Sequence, residues 1–273
     1  MDGKFYLNIA LFSVDFIIIL AILMMYVIST RNYHILQVPK ISTYNDVIDS
    51  KSIYLLLEEF KAMYNLKGYE IDYTETDHNI KIFKNMKKRQ KKIVISKRIH
   101  ESVGYEIDYL VSRIWICAKQ NSKDSKVISY RIFCGFVPYL LLGLTITAFA
   151  LSGLVLFYGI SNFIDINSEQ HASDFGKFIY WLWINPIQNY LVMVFMMMQL
   201  INYYFCYRLK EIIEQEYTRE TAGLIKNSLP DFYRDYGAAR TYANDIKVPF
   251  ILVIKGSNFW PHGFKWTGPF TLI

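Results

Sequence analysis

The residues of this chain able to hold a metal or move a proton are five histidines, three cysteines and one aspartate inside an apolar run. His34, His78, His100, His171 and His262 are isolated from one another. A zinc-binding helix places two histidines four residues apart so that both face one side. His100 and Glu101 open such a string, but Gly104 stands where the second histidine is needed, and the spacing supports an ordinary surface histidine. Cys117, Cys134 and Cys206 lie far apart, two of them in or beside apolar runs, which predicts core residues and neither a disulfide framework nor a zinc knuckle. No G-x-G-x-x-G or Walker A string is present, Gly237 stands alone, and the serines lack the flanking glycines of a nucleophile elbow. The residues therefore assign no catalytic, cofactor-binding or metal set, and the chain reads as a protein that is not an enzyme. Asp15 interrupts the apolar run from Phe5 to Ile28. A carboxylate is costly in lipid, so it must face protein or reach the near interface, about ten residues away. A proton or ion site is the sharper reading of the same residue.

These residues are carried by elements that composition makes visible. Of the 273 residues, 53% are hydrophobic, more than a soluble domain of this size usually holds. Three stretches are long enough to cross a hydrocarbon core of about 30 Å: Phe5 to Ile28, Ile132 to Ile164, and Phe178 to Tyr207, the last two without Asp, Glu, Lys or Arg. The first lacks a basic n-region and a small-residue cleavage site, so it reads as an uncleaved anchor. Tyr180, Trp181 and Trp183 form an aromatic belt, Met196 to Met198 are adaptable apolar filler, and Pro138 and Pro186 predict kinks or helix starts. Thr30 to Arg131 carries 19 basic against 12 acidic residues, while Asp165 to Lys177 carries 1 against 3. The positive-inside rule then places the first of these segments and the C-terminal region on the same side.

The expected fold is mainly α, an integral membrane protein with about three transmembrane helices and a small α+β region between the first and second. Its parts are an anchor (1–30), a basic α+β region (31–131), a two-helix membrane hairpin (132–207), and an amphipathic helix with an aromatic tail (208–273). Within the basic region, Ser52 reads as an N-cap for a helix carrying Ile53, Leu55, Leu56, Phe60 and Met63, with Gly68 as its stop. Tyr69 to Tyr73 alternates as a half-buried strand, and Ile93 to Ser96 reads as another. A helix over Ser102 to Lys119 sets Ile107, Leu110, Ile114 and Cys117 on one stripe.

Between the strands, Lys81 to Lys92 holds seven basic residues and no acid. Its centre, Lys87, Lys88, Arg89, Lys91 and Lys92, reads as a solvated hairpin tip, a contact for anionic lipid or phosphate, or a contact for a protein partner, each cation adding about 1 kcal/mol at a charged membrane. Nucleic acid is not the expected partner, because stacking aromatics are needed and only Phe83 is near. After the third span, Arg208 to Asn227 reads as an amphipathic helix with Lys210 and Glu214 paired at i and i+4, ended by Pro230. The tail mixes Phe259, Trp260, Phe264, Trp266 and Phe270 with prolines and glycines, which predicts burial of these five against another subunit or lipid.

The order of these parts resembles the membrane-bound neutral zinc metallopeptidases of the YugP type over roughly Met24 to Asn244. Thr76, Asp77 and His78 match the family's TDH motif, and Lys91 to Lys97 reads KKIVISK, similar to its KKVVxLS stretch. In that family a helix carries HExxH, two histidines binding zinc and the glutamate acting as base. The aligned residues here are Arg113, Ile114, Trp115, Ile116 and Cys117, and Tyr204 stands where the resemblance places the third ligand, a glutamate. The resemblance thus implies a pseudoenzyme: a metallopeptidase-like fold without its zinc or its base.

The expectation is a non-catalytic accessory or structural subunit of a larger membrane protein complex, touching other membrane subunits and anionic lipid. A basic, AT-biased composition fits a respiratory or ATP-synthase assembly of the mitochondrial inner membrane, with a bacterial plasma membrane as the alternative location. The competing readings are an active membrane zinc metallopeptidase with displaced ligands, and a channel or transporter component using Asp15.

Overall fold

A computed structural model describes residues 3–41, 48–74, 82–96, 102–162, 173–246 and 266–271. The chain forms two compact units, one of Met1–Ile28 with Phe136–Tyr204 and the other of Ser29–Gly135 with Phe205–Ile273. The segments read from sequence as separate central and C-terminal regions therefore belong to one unit.

The first unit is helical, as it has to be where no water is present to satisfy a backbone N–H or C=O. Its elements are α1 (Gly3–Ile35), α5 (Val137–Asn162), α6 (Asp174–Ile184) and the first half of α7 (Ile187–Ser228). Helical stretches at Gly3–Ser29, Ser125–Ser161 and Ile187–Ser228 are long and apolar enough to cross a bilayer, and the protein is an integral membrane protein. Leu20, Leu23 and Met24 of α1, Phe157 of α5 and Met197 of α7 are exposed, as lipid-facing side chains are. The opposite face of α1 buries Asn8, Asp15 and Ile22, seven residues apart and so on one side. On α5 the buried residues include Leu141, Thr145, Ala148, Ser152 and Val155, spaced by three and four. Beside that stripe a small residue lets a side chain close in: Phe12 lies over Gly153 and stacks on Phe149 with ring centroids 5.4 Å apart.

The two prolines behave differently. The third span was expected over Phe178 to Tyr207 with a kink or helix start at Pro186, and the helix does stop at Ile184 and restart at Ile187. Asn185, the residue before Pro186, sits at φ −119° and ψ 88°, because a following proline ring pushes its neighbour out of the helical region. Trp183, read as part of a belt, is instead buried over Gly159, where any Cβ would overlap the indole ring. Pro138 does not break its helix. A π-helical turn at Arg131–Phe136 precedes it, and the wider turn accommodates the missing N–H.

The second unit contains α2 (Ser50–Met63), strands β1 (Glu70–Thr74), β2 (Met86–Lys87) and β3 (Lys92–Ser96), α3 (Val103–Asn121), α4 (Ser125–Tyr130), the charged half of α7, and α8 (Tyr233–Asp245). Asp49, not Ser52, precedes α2 as its N-cap, and Asn65 at φ 57°, not Gly68, takes the left-handed position just after it. Asparagine tolerates that conformation better than most residues. The sheet order is β1-β3-β2, with β1 parallel to β3 from Glu70↔Lys92 to Thr74↔Ser96 and β2 antiparallel to it. The two expected strands are thus neighbours, joined by a third element that sequence alternation did not reveal.

At the centre lies α3, packed against α2, α4, α8 and β3. Its expected stripe of Ile107, Leu110, Ile114 and Cys117 is buried, but so is every residue from Val103 to Ala118 except Glu106. A helix buried all round is a core element, not an amphipathic surface one. The segment expected as a separate amphipathic helix from Arg208 is the second half of α7, which runs for 42 residues, about 63 Å at ~1.5 Å per residue. That is about twice the ~30 Å of a hydrocarbon core, so only the charge-free Ile187–Tyr207 portion suits lipid.

Gly104 shows how tightly α3 is held. A Cβ at this position would overlap the backbone carbonyl of Asp235 on α8. Gly104→Ala should therefore lower the thermal midpoint of the purified protein through an overpacking cost of about 1–3 kcal/mol. Gly223→Ala, on α7 with open space around its Cβ, should raise it through helix propensity, by about 0.5–1 kcal/mol. A thermal-shift measurement giving both substitutions the same sign would contradict this close approach.

Candidate functional site

Among the described residues two buried polar centres stand out, and neither coincides with Arg113 to Cys117 of α3. Arg113, Ile114, Trp115, Ile116 and Cys117 are each at most 1% exposed on α3. Trp115 packs edge-on against Tyr217 and Phe270, with centroids 5.4 and 5.7 Å away, and donates from its indole N–H to Glu220 at 2.8 Å. The Arg113 guanidinium lies 4.8 Å from the Tyr109 ring centre and 3.5 Å from the Pro269 carbonyl. These residues do not fit a zinc ion. Arginine and isoleucine offer no lone pair, and burial pushes the Cys117 thiol up to about 12, so it holds its proton at neutral pH. Tyr204 is exposed on α7. Among the described residues no group of three or more His, Cys, Asp or Glu side chains is arranged to hold a metal. His78, His100, His171 and His262 and the side chain of His34 lie outside the described residues, as do Thr76 and Asp77.

The first polar centre belongs to the second unit and joins α3, α7 and α8. Arg240 of α8 is its hub. One nitrogen, Nη1, donates to both carboxylate oxygens of Asp108, at 3.3 and 3.1 Å; Nη2 donates to Glu214 and to Asn244; Nε reaches Thr218 at 3.1 Å. The guanidinium also lies 4.7 Å from the centre of the Tyr217 ring, and Tyr217 donates to Asp108 at 2.9 Å. Lys210 adds a second cation, 4.0 Å from Glu214 and donating to the Ile246 carbonyl at 2.9 Å. Asp108, Glu214, Lys210 and Arg240 are all at most 7% exposed. The expected Lys210–Glu214 pair is thus a buried contact, not a surface one.

The signs of these charges cancel, two against two, as a buried group of charges requires. Burial pushes the Asp108 carboxyl up to about 6; Arg240 and the Tyr217 hydroxyl pull it down, and Glu214 pushes it further up. For Arg240, burial favours the neutral form, but Asp108 and Glu214 outweigh it and hold the guanidinium charged. The only local hint of this centre was acidic and basic residues inside an otherwise apolar helix. The partner on α8 is 132 residues from Asp108, and no spacing rule reaches that far.

No family model, no curated protein and no solved structure matches this chain. The two surface sets expected to meet lipid or partners separate in the structure. Lys87, Lys88, Arg89 and Lys91 are exposed around the β2–β3 turn, with Lys91 in the left-handed conformation at φ 49°. Lys88 reaches the Gln120 carbonyl at 3.3 Å, and Lys92 lies 3.5 Å from Asp72. These cations thus sit at the tip of the β2–β3 hairpin and not of one between the two expected strands, which lie parallel. The tail also differs from expectation: Trp266 and Phe270 are 3% and 0% exposed inside the chain's own core, which removes both from the set available to a partner. Phe259, Trp260 and Phe264 lie outside the described residues.

The second polar centre belongs to the membrane unit. Asp15 of α1 is fully buried, about 18 Å along the helix from Gly3 at ~1.5 Å per residue, and so faces protein rather than the near interface. Its Oδ2 accepts from Ser152 of α5 at 3.1 Å and from Asn189 of α7 at 2.6 Å. Asn189 also donates to Ser152 at 2.6 Å and accepts from Gln188 at 2.9 Å.

Proposed function

We propose that this chain is a non-catalytic accessory subunit of a larger membrane assembly, built on a metallopeptidase-like order of parts whose zinc helix has become core. The observation that carries this reading is the packing of Arg113 to Cys117. Catalytic zinc needs an open coordination position for water and substrate, and here the corresponding stretch of α3 is filled by Trp115, Tyr217, Tyr130 and Phe270 in edge-to-face contact. A membrane anchor, a solid extramembrane core and a basic exposed hairpin suit a part that holds others in place. The partners proposed are membrane subunits and anionic lipid. The membrane proposed is energy-transducing, the mitochondrial inner membrane or a bacterial plasma membrane.

The expected result is that protein purified in mild detergent carries no stoichiometric zinc and hydrolyses no peptide library. In blue-native gels of its own membranes it should migrate in a discrete species well above 32.2 kDa. One zinc per chain, removed by a chelator together with proteolysis, would overturn the proposal in favour of a peptidase with displaced ligands. Migration as a detergent-bound monomer in native membranes would overturn the assembly part of it.

A further inference from the structure

Hydrogen-bond counting within the membrane unit leaves the Asp15 centre incomplete. Both Asn189 N–H groups are used, one on Asp15 and one on Ser152, and the Ser152 hydroxyl is used on Asp15. Asn189 Oδ1 is thereby fixed as the acceptor, which fixes the Gln188 amide with its nitrogen toward Asn189. Two oxygens remain without a donor, Asp15 Oδ1 and Gln188 Oε1, both buried. Asp15 and Gln188 are 0% and 1% exposed. Buried acceptors left unsatisfied are expensive, and a lone carboxylate charge in an apolar interior more so.

Among the described residues no cation compensates that charge. The facing stretches of α5 and α7, Val137 to Asn162 and Ile187 to Tyr207, contain no Asp, Glu, Lys, Arg or His; their titratable groups are tyrosines and Cys206. On α6 the charged residues are Asp174 and Lys177, exposed and paired at 3.5 Å. The nearest basic residues on α1, Lys4 and Arg31, are about 16 and 24 Å from Asp15 along the helix at ~1.5 Å per residue. A water molecule would satisfy an oxygen but not the charge, and a divalent ion would leave a net positive charge behind.

We propose that Asp15, Ser152, Gln188 and Asn189 form an intramembrane site for one small monovalent cation, a proton or a sodium ion, with Asp15 Oδ1 and Gln188 Oε1 as the acceptors. Intramembrane carboxylates that face protein mark such sites in general. The side chains come from α1, α5 and α7, so occupancy also ties these helices together. Ser152 and Asn189 hold Oδ2, which turns Oδ1 into the exchangeable position. Gln188 supplies the neutral acceptor, and its removal should weaken the site without touching the charge.

The test is infrared titration of the full chain in lipid vesicles with sodium replaced by choline. A carboxylic-acid C=O band should be present at low pH, vanish reversibly as pH rises, and be missing from Asp15→Asn. Gln188→Leu, which keeps the carboxylate, should shift the midpoint by about one pH unit, tenfold in affinity. Adding sodium at fixed pH distinguishes the two ions. Loss of the band with saturable sodium uptake identifies a site that both ions compete for, and an unchanged band identifies a proton site. A spectrum of wild type that matches Asp15→Asn at every pH, with no sodium uptake, overturns the proposal. So does a Gln188→Leu variant that retains the wild-type midpoint and sodium response.

Discussion

Arg240→Ala should destabilise the second unit by about 3–5 kcal/mol, the usual cost of removing one partner from a buried ion pair. The loss comes less from attraction forgone than from what stays behind. Asp108 and Glu214 would remain buried with a single cation, Lys210, and Thr218 and Asn244 would lose their donor. Asp108→Asn, Glu214→Gln and Arg240→Met together should recover most of the loss, because neutral groups of similar shape avoid the desolvation cost. The deficit of Arg240→Ala should also depend on pH. Burial already pushes the Asp108 carboxyl to about 6, and losing the neighbouring cation raises it further. The folded variant therefore binds the Asp108 proton more tightly than the unfolded chain does. The stability this contributes is fully present below about pH 4, the ordinary carboxylate range, and is lost as pH rises through the folded value above about 6. Denaturant unfolding followed by near-UV circular dichroism at pH 4, 6 and 8 measures all three proteins. An Arg240→Ala midpoint equal to wild type at pH 8 would show that the centre is not a closed ion cluster.

Phe270→Ala should cost about 3–5 kcal/mol, the range for truncating a buried aromatic in a packed core. Its ring lies edge-on to Trp115, Tyr217 and Tyr130, with centroids 5.7, 5.4 and 6.4 Å away, and its carbonyl accepts from the Tyr130 hydroxyl. Ending the chain at Lys265 should produce a loss at least as large, since Trp266 leaves with it. Membrane insertion should survive, because the three spans do not include this segment. Carbonate extraction reads insertion, and limited proteolysis of the extracted protein reads the fold. A truncated chain as protease-resistant as wild type would place the last residues outside the core.

The spans were legible because charge-free length has one physical explanation; Leu20 or Phe157 exposed to water would otherwise be hard to account for. The break at Asn185 was legible in Pro186, but Pro138 carries the same signal and leaves its helix unbroken. Strand direction was invisible: Tyr69 to Tyr73 alternates in the same way whether its neighbour runs parallel or antiparallel. The α3 stripe was right about Ile107 and Ile114 and wrong about their surroundings, because Asp108 and Arg113 have the chemistry of solvent-facing residues until Arg240 and the Pro269 carbonyl are brought to them. Trp266 and Phe270 failed in the opposite sense. Aromatics in an irregular tail look unpartnered in sequence, and only the chain's return to α3 shows what covers them. Asp15 was singled out by charge alone. Its partners Ser152, Gln188 and Asn189 are uncharged, so no residue-level signal separated them from the rest of their helices.

The three cysteines, at positions 117, 134 and 206, form no disulfide, are all buried and are all in the second unit. The membrane unit has none. The unaltered protein thus carries its own reporter of local opening: an alkylating reagent can react with a thiol only as fast as that unit breathes, while motion confined to the first unit, Met1–Ile28 with Phe136–Tyr204, goes unregistered. A cysteine introduced at an exposed position would react on an unlabelled background, so the sidedness of the basic hairpin can be read from intact vesicles without first removing the native thiols.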